Sequence, residues 1–214
     1  MLDYSMVRPN KNKIICTIAL ISIILSQLTN SLITTAETEF NYSFPFTIMA
    51  SAIYAVLWTL FNKFLWNKGF FKYISNTPDL NGKWFCNGQG KKHDDPNANN
   101  LWQANIEIKQ TFSEISIHMK TVSNTSQSIS IGATIEKNSD DLYTLSYPYK
   151  NSLINADPDM QAHDGFCQLV FNMKEQTADG YYYTNSNRKS YGGMNLKKIK
   201  ALFPQMVVDK FKMT

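Results

Sequence analysis

The chain of 214 residues is poor in the residue types that build most recognisable chemistry: three cysteines, two arginines, three histidines and nine glycines. Cys16, Cys86 and Cys167 show no C-x-x-C spacing, which excludes a disulfide scaffold and a cysteine zinc site. The glycines form no phosphate-cradling loop, no nucleophile elbow and no kinase signature. His93, His118 and His163 lack metal-ligand spacing, and the carboxylate pairs Asp140-Asp141 and Asp157/Asp159 read as turn formers. Neither an enzyme nor a bound cofactor is therefore expected. The 43% hydrophobic content excludes a disordered chain.

Charge of either sign is also absent where it matters. The net charge is +4, but residues 1–78 hold 6 basic and 3 acidic groups, residues 79–200 hold 13 of each, and residues 201–214 hold 2 and 1. The excess belongs to the first 78 residues, so a basic surface for polymeric nucleic acid is not expected. Within that segment, Ile14–Ala36 and Phe40–Asn62 are two uncharged runs of 23 positions. About 20 apolar residues suffice for a helix to cross a bilayer core. Two transmembrane helices are predicted, over 14–36 and 44–66, with Pro45 at the start of the second and an external turn over 37–43. Arg8, Lys11 and Lys13 precede the pair, Lys63, Lys68 and Lys72 follow it, and the turn carries only Glu37 and Glu39. The positive-inside rule then puts residues 1–13, a linker over 67–79 and everything beyond in the cytoplasm. Two buried core helices, or a signal peptide cleaved near Thr35-Ala36, are the alternatives.

After the linker the period changes from helical to alternating. Gly82–Gly90, Leu101–Phe112, Ile115–Val122, Ser128–Lys137, Leu142–Tyr149, Gly165–Lys174, Gly180–Thr184 and Gly192–Ile199 read as strands separated by turn signals. Eight short sequential strands over 80–200 predict a small eight-stranded antiparallel up-and-down β-barrel, because closure removes exposed edges. A two-sheet sandwich is the structural alternative. Residues 201–214 form a C-terminal tail. The fold class is thus two N-terminal transmembrane α-helices followed by an all-β domain.

An eight-stranded barrel is filled by side chains or holds one small ligand. Aromatic residues stand out as stacking surfaces for nucleobases: Trp84, Trp102, Tyr147, Tyr181 and Tyr183 are the candidates, with Tyr182 on the opposite face of its strand. Arg188 is the single arginine beyond the N-terminal segment, and its guanidinium fork suits phosphate oxygens. Lys189 and Thr184 add donors beside it. Packing is the competing role for each ring, and a solvated loop charge for Arg188.

The layout resembles the two-transmembrane β-barrel effectors of cyclic-oligonucleotide-based antiphage signalling in bacteria. The features that carry the resemblance are the paired spans with an acidic turn, Gly82-Lys83-Trp84 at the first strand, and His163-Asp164-Gly165. Gly180–Thr184 (G-Y-Y-Y-T) and the closing Gly193–Leu196 strand complete them. The resemblance implies a cyclic dinucleotide, made by a cognate nucleotidyltransferase, as the barrel's ligand. It further implies self-association and disruption of the inner membrane by the spans, which halts growth of the infected cell. A membrane-tethered carrier or sensor of an apolar ligand, and an accessory subunit without a ligand, are the rival expectations.

Overall fold

A computed structural model describes residues 1–6, 11–41, 43, 47–92, 95–139, 141–154, 162–185 and 189–199. They divide into a helical unit, drawn from residues 8–79 and 111–113, and a barrel unit containing the rest.

The helical unit begins with α1 (Lys11–Phe40), a 30-residue helix long and apolar enough to cross a membrane. Most of its hydroxyls bond back about one turn, as Ser22 Oγ does to the Ile18 carbonyl at 2.7 Å, which pairs those donors within the apolar helix. α2 (Ala50–Leu60) runs on through a π-helical turn, Phe61–Leu65. The resulting apolar segment, Ala50–Leu65, is shorter than α1. At ~1.5 Å per residue it falls short of the ~30 Å hydrocarbon thickness. Of the two expected spans, α1 has the length to cross a membrane, and the second is present as this shorter segment starting at Ala50. Asn30 supplies the physical reason. Its Oδ1 accepts from the Ile48 amide at 3.1 Å and its Nδ2 donates to the Ile48 carbonyl at 3.0 Å. Ser26 Oγ donates to the same carbonyl at 2.7 Å. With both of its backbone groups bonded to α1, Ile48 stays outside the helix, which starts at Ala50. Pro45 lies outside the described residues.

The predicted linker contains a short helix, α3 (Gly69–Ser75), closed by Asn76 in the left-handed region at φ +47°. Residues 111–113 also belong to this unit. Asn62 holds them: its carbonyl accepts from the Phe112 amide at 3.0 Å, and its Oδ1 accepts from the Ser113 amide and hydroxyl, each at 3.0 Å. Phe112 packs edge-on against Phe61, with centroids 5.0 Å apart.

The barrel unit opens with two minimal strands, β1 (Leu2–Asp3) and β2 (Ser5–Met6). Then come β3 (Gly82–Lys92), β4 (Asp95–Gln110), β5 (Glu114–Thr121), β6 (Ser126–Ser130) and β7 (Thr134–Lys137). β8 (Leu142–Leu153), β9 (Asp164–Asn172), β10 (Thr177–Thr184) and β11 (Ser190–Lys198) complete it. Antiparallel pairing runs β3-β4-β5-β6-β8-β9-β10-β11 and back to β3, so eight strands close a barrel.

The predicted strand Ser128–Lys137 is broken. Tyr149–Leu153 of β8 pair with β6, whereas Tyr143–Ser146 pair with β7. The break at 131–133 lies beside Pro148, which has no N–H to give a ladder; its carbonyl accepts from the Ile131 amide at 3.0 Å. Where β6 leaves β5, Ser130 Oγ accepts the Ile117 amide at 3.0 Å in place of a strand bond. The N-terminus occupies the resulting seam. Leu2 and Asp3 pair with Ile115 and Glu114 of β5, and Ser5 and Met6 pair with Thr134 and Ile135 of β7. Between them Tyr4 is buried in the core, its Oη accepting from Gln110 Nε2 at 3.2 Å. A segment expected as a cytoplasmic tail thus supplies part of the barrel wall. The predicted tail 201–214 lies outside the described residues.

Along each strand the inward residues change character. Trp84, Ile106, Ile108, Ile115, Ile117, Leu145, Leu169, Phe171 and Leu196 are all nearly fully buried and pack one half of the barrel. Trp84 meets Phe171 edge-to-face at 4.9 Å and donates Nε1–H to the Leu80 carbonyl at 3.1 Å. The other half is built from glycine, serine, asparagine and tyrosine.

Candidate ligand cavity

That second half encloses a cavity of about 1210 Å³, above the usual ~300–1,000 Å³ of small-molecule sites. Two features of the sequence keep it empty. First, β6 directs Ser126, Ser128 and Ser130 inward, all buried, where an aliphatic residue would have filled the space. Second, β3 directs Gly88 and Gly90 inward. A Cβ on Gly88 would fall on the Trp102 indole, and one on Gly90 would come within 2.6 Å of the Tyr182 hydroxyl. The missing side chains let Trp102 lie flat on the wall. Trp102 Nε1 donates to Tyr182 Oη at 3.3 Å, with the rings edge-to-face at 5.6 Å.

Tyr147, Tyr149, Asn151 and Cys167 form the opposite wall and floor. Asn151 Nδ2 donates to Ser126 Oγ at 2.9 Å. Its Oδ1 has no donor among the described residues. Ser128 lines the cavity, and its hydroxyl makes no hydrogen bond among the described residues. Burial keeps Cys86, Cys167 and Tyr147 neutral at physiological pH. Burial, reinforced by the neighbouring Cys167, pushes the Cys86 thiol up to about 12. Burial does the same to Cys167, against a hydrogen bond with Tyr147 that pulls the other way. Burial also holds the Tyr147 phenol well above its ordinary value. The lysines of the lining, Lys91 and Lys92, are exposed at the end of β3. No group of three or more His, Cys, Asp or Glu suited to a metal occurs among the described residues.

Of the residues singled out from sequence, Trp102 and Tyr147 line this cavity. Trp84 does not, because Gly82-Lys83-Trp84 lies at the packed end of β3 while the glycines reach the open end. Tyr181 and Tyr183 alternate with Tyr182 as expected, but they point outward, about half exposed, and Tyr182 is the inward ring. Tyr181 Oη donates to Gln168 Oε1 at 2.9 Å, and Tyr183 stacks on Phe166 at 5.4 Å. Thr184 is a turn former: its Oγ1 accepts the Ser190 amide at 2.8 Å. Lys189 sits in that turn at φ +48°, exposed and outside the lining. Arg188 lies outside the described residues. Ser126, Ser128, Tyr149, Asn151 and Tyr182 also line the cavity; serine alternation in Ser126–Ser130 is the sequence signal for the two serines.

Comparison with known proteins adds two findings. Residues 75–198 match a family model described as Cap15, cyclic dinucleotide receptor domain. The chain is also 29% identical over 153 residues to CD-NTase-associated protein 15 of Yersinia aleksiciae, covering 72% of this chain and 71% of that protein.

Proposed function

The chain belongs to the Cap15 cyclic dinucleotide receptor domain family, and from that premise we propose that its barrel is the receptor for a cyclic dinucleotide in an antiphage signalling system. The observation that carries the reading is the cavity of about 1210 Å³ in one half of an otherwise packed barrel, lined by aromatic rings, hydroxyls and two lysines. Rings supply stacking for bases, hydroxyls and amides hydrogen-bond their edges, and ammonium groups favour phosphates. A carrier of apolar molecules would want leucines where β6 has serines. An accessory subunit without a ligand would need no cavity.

In this reading α1 and the apolar segment Ala50–Leu65 both enter the inner membrane. The acidic turn faces outward and the barrel faces the cytoplasm, where a cognate nucleotidyltransferase releases the ligand. Ligand binding shifts the protein towards a self-associated state that disrupts the bilayer and stops growth of the infected cell. Binding shifts that equilibrium only by its preference for the assembled form; a 100-fold preference is about 2.7 kcal/mol.

The test is thermal unfolding of the full chain in lipid nanodiscs with c-di-AMP, c-di-GMP and c-di-UMP. At 100 times its Kd a bound ligand stabilises by about 2.7 kcal/mol, which raises the barrel's Tm by several degrees, while linear mononucleotides leave it unchanged. No shift with any cyclic dinucleotide removes the reading.

A further inference from the structure

We propose that the outer face of β10 and β11 is the surface on which two copies of this chain meet, with Tyr181 of each copy seated over Gly193 of the other. This deepens the self-association reading and rests on it. Tyr181, Tyr183 and Tyr191 are between 44% and 50% exposed. The register sets them side by side on one face, since Tyr183 pairs with Tyr191 and Tyr181 with Gly193. Two of the rings are already fixed: Tyr181 Oη donates to Gln168 Oε1 at 2.9 Å, and Tyr183 stacks on Phe166 at 5.4 Å. Rings held in this way lose little freedom on contact. Wide apolar rings with a polar tip are the composition of protein–protein contacts. These side chains carry no charge, and Asp179, two positions before Tyr181 on the same face, accepts from Asn195 Nδ2.

Gly193 is the second observation. A glycine weakens a strand interior and marks places where another chain or ligand comes close. The barrel itself does not require this one. Its φ is not positive, and a Cβ on it would meet only the Gly180 carbonyl oxygen, at an ordinary 3.9 Å. Its neighbour Gly192 differs, because a Cβ there would collide with the Gln89 carbonyl. Gly193 thus leaves an exposed notch beside a projecting tyrosine, and that pairing selects the occupant. A two-fold axis running along the strands between β10 and β11 exchanges the two strand positions. Each Tyr181 then meets the second copy's Gly193, and each Tyr183 meets the second copy's Tyr191, as an isologous contact requires. Both strands are paired on each side, so side chains make the contact and no strand is added. Tyr182, between two of these rings, points into the cavity, so β10 carries the ligand site on one face and the contact on the other.

The test is energy transfer between donor-labelled and acceptor-labelled full chains in liposomes, with c-di-AMP, c-di-GMP and c-di-UMP added in turn. Tyr181→Ala removes the projection, and Gly193→Val fills the notch at a position where the barrel leaves room. Each variant alone should weaken association about tenfold, the scale of losing a central interface side chain. Neither side chain faces the cavity, so cyclic dinucleotide affinity in nanodiscs holding one chain should match the wild type. Mixing the two variants sets an intact Tyr181 against an intact Gly193, and the truncated side chain against the filled notch. The mixture should therefore associate better than either variant alone. Each variant's Tm is measured alongside; should Tyr181→Ala fail to fold, Tyr181→Ser takes its place. Wild-type association in either variant, as when the spans associate alone or lipid covers the face, overturns the tyrosine surface. So does a mixture no better than its parts; the receptor reading survives both. A wild-type chain that stays monomeric with all three ligands overturns the self-association reading and this inference with it.

Discussion

Removing the Tyr4 side chain tests whether the N-terminus is part of the barrel. Tyr4 lies between two strands of two residues each and is 8% exposed. Its ring packs in the barrel core, and its Oη accepts a hydrogen bond from Gln110 Nε2 at 3.2 Å. Truncating a buried aromatic ring to alanine costs roughly 3–5 kcal/mol; a seam of short strands relaxes more readily than a continuous wall, so the lower end, about 3 kcal/mol, applies. Tyr4→Phe keeps the ring and loses the hydrogen-bond acceptor, for about 1 kcal/mol. With roughly 3–5 °C per kcal/mol for a domain of this size, Tyr4→Ala lowers the barrel's Tm by about 10 °C and Tyr4→Phe by a few degrees. Thermal unfolding of the full chain in nanodiscs reads both. Hydrogen exchange adds a local signature, with faster exchange at Glu114–Ile117 and Thr134–Ile135 than in β9 and β10. A Tyr4→Ala chain that melts with the wild type refutes the seam, and the N-terminus would then be a free tail.

Two other perturbations have outcomes set by the geometry. Gly88→Val places a branched side chain where the Trp102 indole lies; it should weaken binding of the preferred cyclic dinucleotide at least tenfold in titration calorimetry. Outside the cavity, Tyr181→Ala should leave affinity within twofold, since that side chain faces away from it. Alkaline pH should destabilise the barrel. Cys86 and Cys167 titrate near 9 when unfolded and at about 12 when folded, so between those values the unfolded chain has released protons that the folded chain retains. Stability is therefore full below pH 9 and falls above it by about 1.4 kcal/mol per pH unit for each thiol. Denaturant midpoints at pH 8, 9 and 10 measure this, and Cys86→Ala should reduce the slope.

Alternation made most of the barrel legible in the sequence, because a half-buried strand has to repeat every two residues. It failed at two places. Leu2–Asp3 and Ser5–Met6 are too short to show a period, and the break at 131–133 looks like continuation because Ser130 substitutes a side-chain oxygen for a backbone partner. The two apolar helices were legible as uncharged runs, but composition does not register Asn30 bonding to Ile48, which fixes where the second helix begins. The cavity was legible in kind and not in place. Alternation separates Tyr181 and Tyr183 from Tyr182 without telling which set is inside, and that is settled by Gly90 across the barrel wall making room for the Tyr182 hydroxyl. Trp84 and Trp102 are alike as residues; they differ in which end of the barrel they occupy, and that depends on the register of β3 and β4.

The central claim, that the half-empty barrel is a cyclic dinucleotide receptor, is tested most directly by hydrogen exchange on the full chain in nanodiscs, with and without a saturating cyclic dinucleotide. The account predicts slower exchange in Ser126–Ser130 and Tyr147–Asn151, the strand segments that bear the serine row and the opposite wall. The packed half around Trp84 and Phe171 should change little by comparison. Protection confined to the outer face around Phe166 and Tyr183, or none with any cyclic dinucleotide, would contradict it.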